Sequence, residues 1–384
     1  MKKIAIITTH PIQYNAPLFS LLSKRNKIHP KVFYTWGEDA SKSKFDPGFG
    51  KQIKWDIPLL DEYEFIFTRN ISKDPGSHHF NGIDNPDLIK EIIGWGPDAI
   101  LIYGWAFKSH LKCIRYFHNR IPVFFRGDST SLNNEPYFKK MIKSFFLRWV
   151  YSKIDIAFYV GSRNKEYYKK FGVPDMKLIY APHAVDNDRF LAEADQKKED
   201  AKNWRERLKI YEGDTVFLFA GKLEPVKNVN LLLKAFLIAS QSNCHLIICG
   251  NGILEKEFKD KYGLLLNIHF IDFQNQILMP TVYRLADVFV LPSHSETWGL
   301  SINEAMNCGL AIITSDKCGA ATDLIEEGVN GFIFKDKDVD QLSYFIKEMA
   351  KDRPSLATMG ENSIKKISKF SYCNFAEKLE KELN

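Results

Sequence analysis

Residues 286–306, ADVFVLPSHSETWGLSINEAM, contain the pattern of a strand, a turn and the start of a helix. The apolar run VFVL is typical of a buried strand, and the residues PSHSETWG that follow it favour a turn. The next helix is expected to begin at Gly299 and Leu300. This pattern places Glu296 in the turn and Glu304 about one helical turn beyond the glycine.

The same alternation of short apolar runs and helical patterns continues in both directions along the chain. In the first half the runs are KIAIIT, KVFYTW, AILIYG, PVFFRG and IDIAFYVG, and after Gly213 a second series follows: TVFLFAG, CHLIICG, IHFIDF, VFVLPS, AIITSD and GFIF. Continuous apolar strands separated by helices indicate parallel sheets that are covered on both faces. Two such series predict an α/β protein with two doubly wound, Rossmann-like domains.

The composition of the chain shifts between the two series. We predict a first domain at residues 1–185, a linker at 186–212, a second domain at 213–360 and a C-terminal helix at 361–384. The linker contains a highly charged segment that favours a solvated helix. The C-terminal helix could pack back against the first domain, and periodicity alone leaves that open.

Composition and charge exclude several classes of protein. The net charge is only +6 over 384 residues, whereas a nucleic-acid-binding protein usually has a clustered basic stripe. The six cysteines occur singly, as buried thiols do in a reducing compartment. The first apolar run, Ile4 to Ile7, is shorter than the ~7–15 residues of a secretory signal, and no run reaches the ~18 residues of a membrane span. We therefore expect a cytoplasmic protein without a nucleic-acid partner.

Ligands of open α/β sheets bind outside the carboxyl ends of the strands, so the residues near those ends are candidates for a site. In the second half they are Gly221, Lys222, Lys227, Gly250, Asn251, Gly252, Glu296, Gly299, Leu300 and Glu304. In the first half they are His10, Gln13, Arg126 and Asp128. Structural roles remain open for His10 and for the Gly-Asn-Gly turn, and Arg126 and Asp128 can simply pair with each other.

The residue types in the second half favour a site for a nucleotide diphosphate. Free backbone N–H groups at Gly299 and Leu300, together with the helix dipole, would attract an anion. Lys222 and Lys227 lie in one loop and can converge on one pyrophosphate. The two carboxylates would repel that group, but carboxylates accept hydrogen bonds well from paired hydroxyls. One of them can therefore hold a sugar and the other a ribose.

Two segments, GKLEPVKNVNLLLKAF and PSHSETWGLSINEAMNCGLAIITSD, resemble the retaining glycosyltransferases of family 4, which have the GT-B fold. The spacing of Glu296 and Glu304 matches the Glu-x7-Glu motif of that family, and the resemblance is best over residues 216–331. It implies two domains that face a cleft, with a UDP- or GDP-type nucleotide-sugar donor on the second domain. A glycan or lipid-linked acceptor would bind the first. Lys222 stands where the family often has arginine.

The strand ends and the resemblance together predict a role for each candidate residue. Catalytic roles are expected for Glu296 at the donor sugar, Lys222 and Lys227 at the diphosphate, and His10. Donor binding is expected for Glu304 at the ribose and for Gly221, Gly250, Asn251, Gly252, Gly299 and Leu300. Acceptor-side roles are expected for Gln13, Arg126 and Asp128.

Neither a cofactor nor a metal is expected, since cationic side chains and helix amides stabilise the leaving diphosphate in enzymes of this kind. The Asp-x-Asp pairs at 186/188, 336/338 and 338/340 lie in charged turns, and we interpret them as surface residues. The predicted function is sugar transfer to a hydroxyl acceptor in cell-surface polysaccharide, lipopolysaccharide or glycolipid biosynthesis. A nucleotide-sugar epimerase and a non-catalytic sugar-nucleotide-binding subunit remain as alternatives.

Residues 137–153, YFKKMIKSFFLRWVYSK, form one further amphipathic pattern. Aromatic and aliphatic residues recur at helical spacing, with lysine and arginine between them. A core helix with a solvated basic face explains this pattern. The alternative is docking on an anionic membrane, which would place the protein on the inner face of the membrane.

Overall fold

The computed structural model describes residues 1–38, 44–46, 48–132, 137–239 and 243–384, with the backbone alone for 44–46 and 137–140. The chain forms two compact units. The first consists of Met1–Lys44, Ile57–His183 and Tyr372–Asn384, and the second of Phe45–Asp56 and Ala184–Ser371. Each unit contains one large parallel sheet with helices between its strands, which confirms the prediction of two doubly wound, Rossmann-like domains.

The first unit is built on a seven-stranded sheet. The strands before His183 are β1 (Lys3–Thr8), β2 (His29–Tyr34), β3 (Lys44–Asp46), β4 (Lys51–Ile53), β5 (Glu64–Phe67), β6 (Ala99–Tyr103), β7 (Val123–Arg126), β8 (Ile156–Tyr159) and β9 (Leu178–Tyr180). The helices are α1 (Ala16–Arg25), α2 (Leu88–Trp95), α3 (Lys108–Phe117), α4 (Tyr137–Tyr151) and α5 (Ser162–Lys170). The strand order is β5-β2-β1-β6-β7-β8-β9, all pairs being parallel, and β3 and β4 form a separate two-stranded sheet.

The second unit is built on a six-stranded parallel sheet with the order β12-β11-β10-β13-β14-β15. Its strands are β10 (Thr215–Ala220), β11 (Cys244–Cys249), β12 (Ile268–Ile271), β13 (Val288–Leu291), β14 (Ala311–Ser315) and β15 (Gly331–Phe334). The helices after His183 are α6 (Asn187–Leu191), α7 (Ala194–Arg207), α8 (Val229–Ala239), α9 (Glu255–Tyr262), α10 (Met279–Arg284), α11 (Leu300–Asn307), α12 (Ala321–Leu324), α13 (Val339–Lys351), α14 (Arg353–Ile367) and α15 (Tyr372–Leu383). Helix α15 belongs to the first unit.

The sheet of the first unit is covered on both faces. Successive residues of a strand point to opposite faces, so Ile4 and Ile6 are buried in one apolar cluster and Ala5 and Ile7 in the other. Helices α2 to α5 cover one face, and α1 covers the other together with α15. Among the residues that the structure describes, no helix is long and apolar enough to cross a membrane.

The segment Phe45–Asp56, expected within the first domain, lies in the second unit. The Asn275 side-chain amide donates to the carbonyl of Lys54 at 2.7 Å, and the N–H of Ile277 donates to the Asp56 carboxylate at 3.2 Å. The rings of Phe49 and Phe273 contact each other, with centroids 4.8 Å apart. These contacts to the region between β12 and α10 explain the assignment.

The segments expected as a linker and as one C-terminal helix each contain two helices. Residues 186–212 contain α6 and α7, which belong to the second unit, and 361–384 contain the end of α14 and all of α15. Helix α15 buries Phe375 and Leu379 against α1, and Arg25 of α1 donates two hydrogen bonds to the Glu380 carboxylate at 2.6 and 2.8 Å. These hydrogen bonds hold the pKa of Glu380 below its ordinary value.

We predict that Leu379→Ala destabilises the first unit by about 2–5 kcal/mol, because it leaves a cavity where a fully buried side chain packed. Urea unfolding measures the loss. Lys378→Ala, at the exposed neighbouring position of the same helix, serves as the control and should change stability by less than about 0.5 kcal/mol. Equal losses in the two variants would show that α15 is not a core element.

Candidate active site

The candidate lysines and glutamates of the second unit lie after β10 and β13, where the strand order reverses. The loop after β10 and the loop after β13 leave the sheet at the same edge. The backbone N–H of His294 donates to the carbonyl of Val226 at 2.9 Å, and the Asn228 side chain donates to the carbonyl of Pro292 at 3.3 Å. The two loops therefore form one continuous surface at the position where open α/β sheets bind ligands.

Lys227 and Glu296, predicted to meet different parts of a donor, form an ion pair on this surface. Both side chains are about four-fifths buried, with 22% and 19% of their area exposed. The backbone of Glu296 is fixed by the loop after β14, because its N–H donates to the carbonyl of Lys317 at 3.1 Å and its carbonyl accepts from Gly319 at 2.9 Å. The carboxylate is therefore held beside a cation.

Gly299 caps the N-terminus of helix α11, which begins at Leu300 where the sequence predicts a helix start, and has the left-handed φ of 98°. A side chain there would also meet the Cys318 sulfur at 2.8 Å and a Leu291 methyl at 3.0 Å. Glycine adopts the left-handed φ without strain and has no side chain to collide with these atoms. The sharp turn sets the position of Leu300 and the first N–H groups of the helix.

Glu304 lies on α11 and is almost completely buried, with 3% exposed. The Tyr283 hydroxyl, on α10, donates to its carboxylate at 2.7 Å. The sequence analysis did not single out Tyr283, and no spacing rule connects it with a glutamate 21 positions away. The sequence did not predict a second contact of this helix either. The Trp298 indole donates a hydrogen bond to the Asn303 side chain at 2.9 Å and stabilises the start of the helix.

The three glycines after β10 and β11 bring two loops into backbone contact. A methyl group on Gly250 would lie 2.0 Å from the carbonyl oxygen of Gly221, and one on Gly252 would lie 2.6 Å from that of Leu223. The Asn251 side chain, between them, accepts from the N–H of Phe273 at 2.7 Å and donates to two carboxylates. The Gly-Asn-Gly turn thus shapes the loop that carries the lysines.

Lys222 lies beside the segment that enters from the first half of the sequence. Its ammonium group is 5.1 Å from the centroid of the Phe49 ring. Gly48 passes so close that an added methyl group would lie 2.7 Å from the same nitrogen. Phe49, which the sequence analysis missed, therefore covers one of the two predicted phosphate-binding cations.

In the first unit, His10 and Gln13 follow β1 in the turn before α1. The His10 Nδ1 atom is 2.9 Å from the Thr9 hydroxyl, and its ring meets that of Trp36 edge-on, with centroids 4.9 Å apart. Both His10 and Gln13 are half-buried. They lie at the carboxyl edge of the sheet, as the sequence predicts.

Arg126 is buried and holds the chain that follows β9. Its guanidinium donates to the carbonyls of Ala181 and Pro182 at 2.9 and 3.1 Å and lies 4.5 Å from the Phe375 ring centroid. His183 is half-buried nearby, and desolvation lowers its pKa to about 4; the charge of Arg126 acts in the same direction and that of Asp128 in the opposite one. The observed contacts of Arg126 are structural, and the sequence analysis missed His183.

Two aspartates of the Asp-x-Asp pairs, Asp186 and Asp338, cap helices. The Asp186 side chain accepts from the N–H of Arg189 at 3.2 Å, and that of Asp338 accepts from Gln341 at 2.9 Å. Asp336 pairs with His294 at 2.5 Å. These carboxylates are thus used for local structure.

Residues 200–366 match the family model described as "Glycosyl transferases group 1". The match covers less than half of the chain. It contains Lys222, Lys227, Glu296 and Glu304, together with Gly221, Gly250, Gly252 and Gly299.

Similar proteins include two glycosyltransferases and one solved structure with a bound nucleotide sugar. A D-inositol 3-phosphate glycosyltransferase of Geodermatophilus obscurus is 28% identical over 44% of this chain and 39% of that protein. The lipopolysaccharide 1,2-N-acetylglucosaminetransferase of Salmonella typhimurium is 26% identical over 54% of this chain and 58% of that protein. The chain thus spans about half the length of the curated relatives it matches.

The structure of Anabaena HepE in complex with UDP-glucose aligns with 100% of this chain and 99% of that one, with a TM-score of 0.70 and 17% identity. At this identity the likeness shows the fold alone. The chain has the GT-B fold, as the resemblance implies.

We predict that Gly252→Ala destabilises the second unit by about 1–3 kcal/mol, because the new methyl group overlaps the backbone of Leu223. The matched control is Gly94→Ala in α2, where an added methyl group meets nothing within 4 Å. Alanine is favoured over glycine inside a helix by about 0.5–1 kcal/mol, so the control should be neutral or slightly stabilising. Thermal melting of both variants makes the comparison, and a stable Gly252→Ala protein would contradict the close approach.

Proposed function

We propose that this chain is a retaining glycosyltransferase, of the family 4 type, that moves a sugar from a nucleotide diphosphate sugar to a hydroxyl acceptor. The observation that carries the proposal is the contact between Lys227 and Glu296 at the reversal of strand order. This contact places the Lys227 ammonium, which can bind a phosphate, beside the Glu296 carboxylate, which can accept hydrogen bonds from sugar hydroxyls. The match of residues 200–366 to a glycosyltransferase family model supports it.

In the proposed reaction, the bond from the sugar to the diphosphate breaks and the oxygen of the acceptor hydroxyl bonds to the sugar. Negative charge grows on the leaving diphosphate, and the proton of the acceptor hydroxyl passes to that diphosphate or to His10. Lys222, Lys227 and the first N–H groups of α11 would stabilise that charge, because preorganised cations and dipoles act most strongly on the charge that develops in the transition state. The diphosphate would compete with Glu296 for Lys227. The Glu296 carboxylate would then be available to the sugar hydroxyls. No metal and no cofactor take part in this scheme.

The ribose is proposed to bind at Glu304, whose carboxylate Tyr283 holds in one orientation. HepE binds UDP-glucose, and by analogy a donor of the UDP or GDP type is proposed here. The acceptor is proposed to bind the first unit near His10 and Gln13. The proposed acceptor is a glycan or lipid-linked molecule of cell-surface polysaccharide, lipopolysaccharide or glycolipid biosynthesis, which the name of the Salmonella relative supports; the Geodermatophilus relative is named for a different acceptor, an inositol phosphate.

The test compares the two glutamate variants in calorimetry with UDP and GDP and in kinetics with the matching sugar donors. Glu304→Gln should weaken binding of the free nucleotide by about ten- to a hundredfold, because the variant loses a charged hydrogen bond worth roughly 1.5–3 kcal/mol. Glu296→Gln should bind the nucleotide as well as wild type or better, since it frees Lys227, and should lose turnover instead. The melting temperature of the protein, measured with each of a panel of UDP-, GDP- and ADP-sugars, identifies the donor that binds.

The matched control is Glu257→Gln, at an exposed position on α9, which should change neither the nucleotide affinity nor the turnover. Glutamine at 304 can still accept the Tyr283 hydroxyl, so that variant is expected to fold. Equal losses of nucleotide affinity in both glutamate variants would contradict the division of roles. Absence of sugar transfer by wild type with every donor of the panel would contradict the function itself.

We further propose that α4 docks this protein on the cytoplasmic face of an anionic membrane. Phe145 is 81% exposed, and Met141, Ile142 and Trp149 are exposed on the same helix. Basic groups surround them: Lys153 and Arg115 lie 5.3 and 5.8 Å from the Trp149 ring. The side chains of residues 137–140 are outside the described part of the chain. Apolar residues flanked by lysine and arginine are typical of helices that lie in a membrane interface.

Changing Lys139, Lys140 and Lys143 to glutamate should weaken binding to phosphatidylserine vesicles by about a hundredfold or more, since each basic residue near such a surface contributes about 1 kcal/mol. Vesicle sedimentation measures the change. The control carries the same substitution at the exposed Lys198, Lys202 and Lys256 of the second unit and should bind like wild type. Wild-type protein that does not sediment with vesicles would contradict the proposal.

A further inference from the structure

The loop after β5 gathers two histidines and one carboxylate outside the candidate active site. In the sequence KDPGSHHF, the Nε2 atom of His78 lies 3.1 Å from Asp74 Oδ2, and that of His79 lies 3.3 Å from the same oxygen. One ligand atom from each side chain can be chosen such that all three lie within 4.8 Å of one another. In the sequence only the Asp-x-Asp pairs have the spacing of metal ligands, so this set was not predicted.

The backbone of this loop is fixed at both ends. The Asn70 side chain donates to the carbonyl of Gly82 at 2.9 Å and accepts from the N–H groups of Ser72 and Asp84 at 3.1 and 3.0 Å. The N–H of Gly76 donates to the carbonyl of Gly82 at 3.1 Å. The three candidate ligands are thus carried by a loop whose closure does not depend on them.

Gly76 provides the space for the first imidazole. A methyl group at this position would lie 2.4 Å from Nδ1 of His78, so any larger residue would displace the ring. Glycine therefore allows His78 to turn back towards Asp74. The two histidine rings lie with their centroids 4.6 Å apart, so that both can serve one centre.

The distances from the two histidine nitrogens to the Asp74 carboxylate match those of a metal site. Zinc binds histidine nitrogen at about 2.0–2.1 Å and carboxylate oxygen at about 2.0–2.2 Å, so neighbouring ligand atoms of a tetrahedral site are about 3.3–3.4 Å apart. The two nitrogen–oxygen distances here are 3.1 and 3.3 Å. Two imidazoles with one carboxylate suit zinc and similar transition metals, whereas magnesium and calcium prefer oxygen ligands alone.

We propose that Asp74, His78 and His79 bind one divalent transition-metal ion of the zinc type, with solvent completing its coordination. The exposed fractions of Asp74 and His78, 73% and 63%, leave the outer side of the site accessible to water. The ion would crosslink residues four and five positions apart and order the loop. This inference does not depend on the proposed sugar transfer, because it concerns another unit and other residues.

The loop is connected to the carboxyl edge of the first sheet. Asn70 also donates to the carbonyl of Trp36 at 3.3 Å, and the ring of Trp36 packs against His10. A metal that orders the loop would therefore stabilise the surroundings of a residue predicted to act on the acceptor side. Its role would be to position that edge, and the reacting atoms of a donor would not touch it.

The experiment titrates the full chain, stripped with EDTA and desalted, with Zn2+ in a calorimeter, and records the visible spectrum with Co2+. Wild type should bind one ion per chain, with the Co2+ absorption of a tetrahedral site and a rise in melting temperature. His78→Ala, His79→Ala and Asp74→Asn should each weaken binding by at least about tenfold, the loss caused by changing even a supporting residue of a metal site. Gly76→Ala, which keeps all three ligands, should weaken it as well.

His29→Ala is the matched control, since His29 also pairs with one carboxylate, that of Glu64, at 3.1 Å on the surface of the same unit. It should bind zinc like wild type. Asp74 and His78 are largely exposed and His79 and His29 are partly exposed, and circular dichroism without metal verifies the folding of each variant. Absence of zinc binding by wild type would overturn the proposal, as would a His78→Ala/His79→Ala double variant that binds as tightly as wild type.

Discussion

Parallel pairing of β10 with β13 is the constraint on which the candidate active site depends. Phe217 lies opposite Val288 and Leu218 opposite Phe289, so the loops that follow these strands leave the sheet at the same edge. Only this topology brings Lys227 to Glu296, which is 69 positions further along the chain. The ion pair is a consequence of the sheet, and each partner alone would be an ordinary surface charge.

Much of this arrangement could be predicted from the sequence, because strands buried on both faces leave few polar positions within them. The runs TVFLFA and VFVL became β10 and β13, whose residues are all buried. The end of each strand then identified the loops with Lys227 and Glu296. Gly299 was recognisable as the start of α11, because few other residues adopt the backbone conformation required there.

Other features depend on contacts between distant parts of the chain, and local patterns do not contain them. Asn275 bonds to Lys54 across 221 positions, so the membership of Phe45–Asp56 in the second unit was unpredictable from composition. Tyr283 as the partner of Glu304 depends on how α10 packs on α11. The Gly-Asn-Gly turn was predicted as a place for a ligand to approach, whereas the described contacts at its glycines are with another loop of the protein.

Helix α15 determines when the first unit can complete its core during protein synthesis. Its core contains Phe375, Ala376 and Leu379 packed on α1, so the cluster around Phe19 stays incomplete until residues 372–383 have left the ribosome. At about 5–20 residues per second, that is roughly 20–70 seconds after α1 has been synthesised. All strands of the second unit have been synthesised by Phe334, before α15, so that unit can fold first. Because the core of the N-terminal unit is completed only by α15, its apolar surface stays exposed to chaperones for longer than that of a unit whose elements are consecutive in the chain.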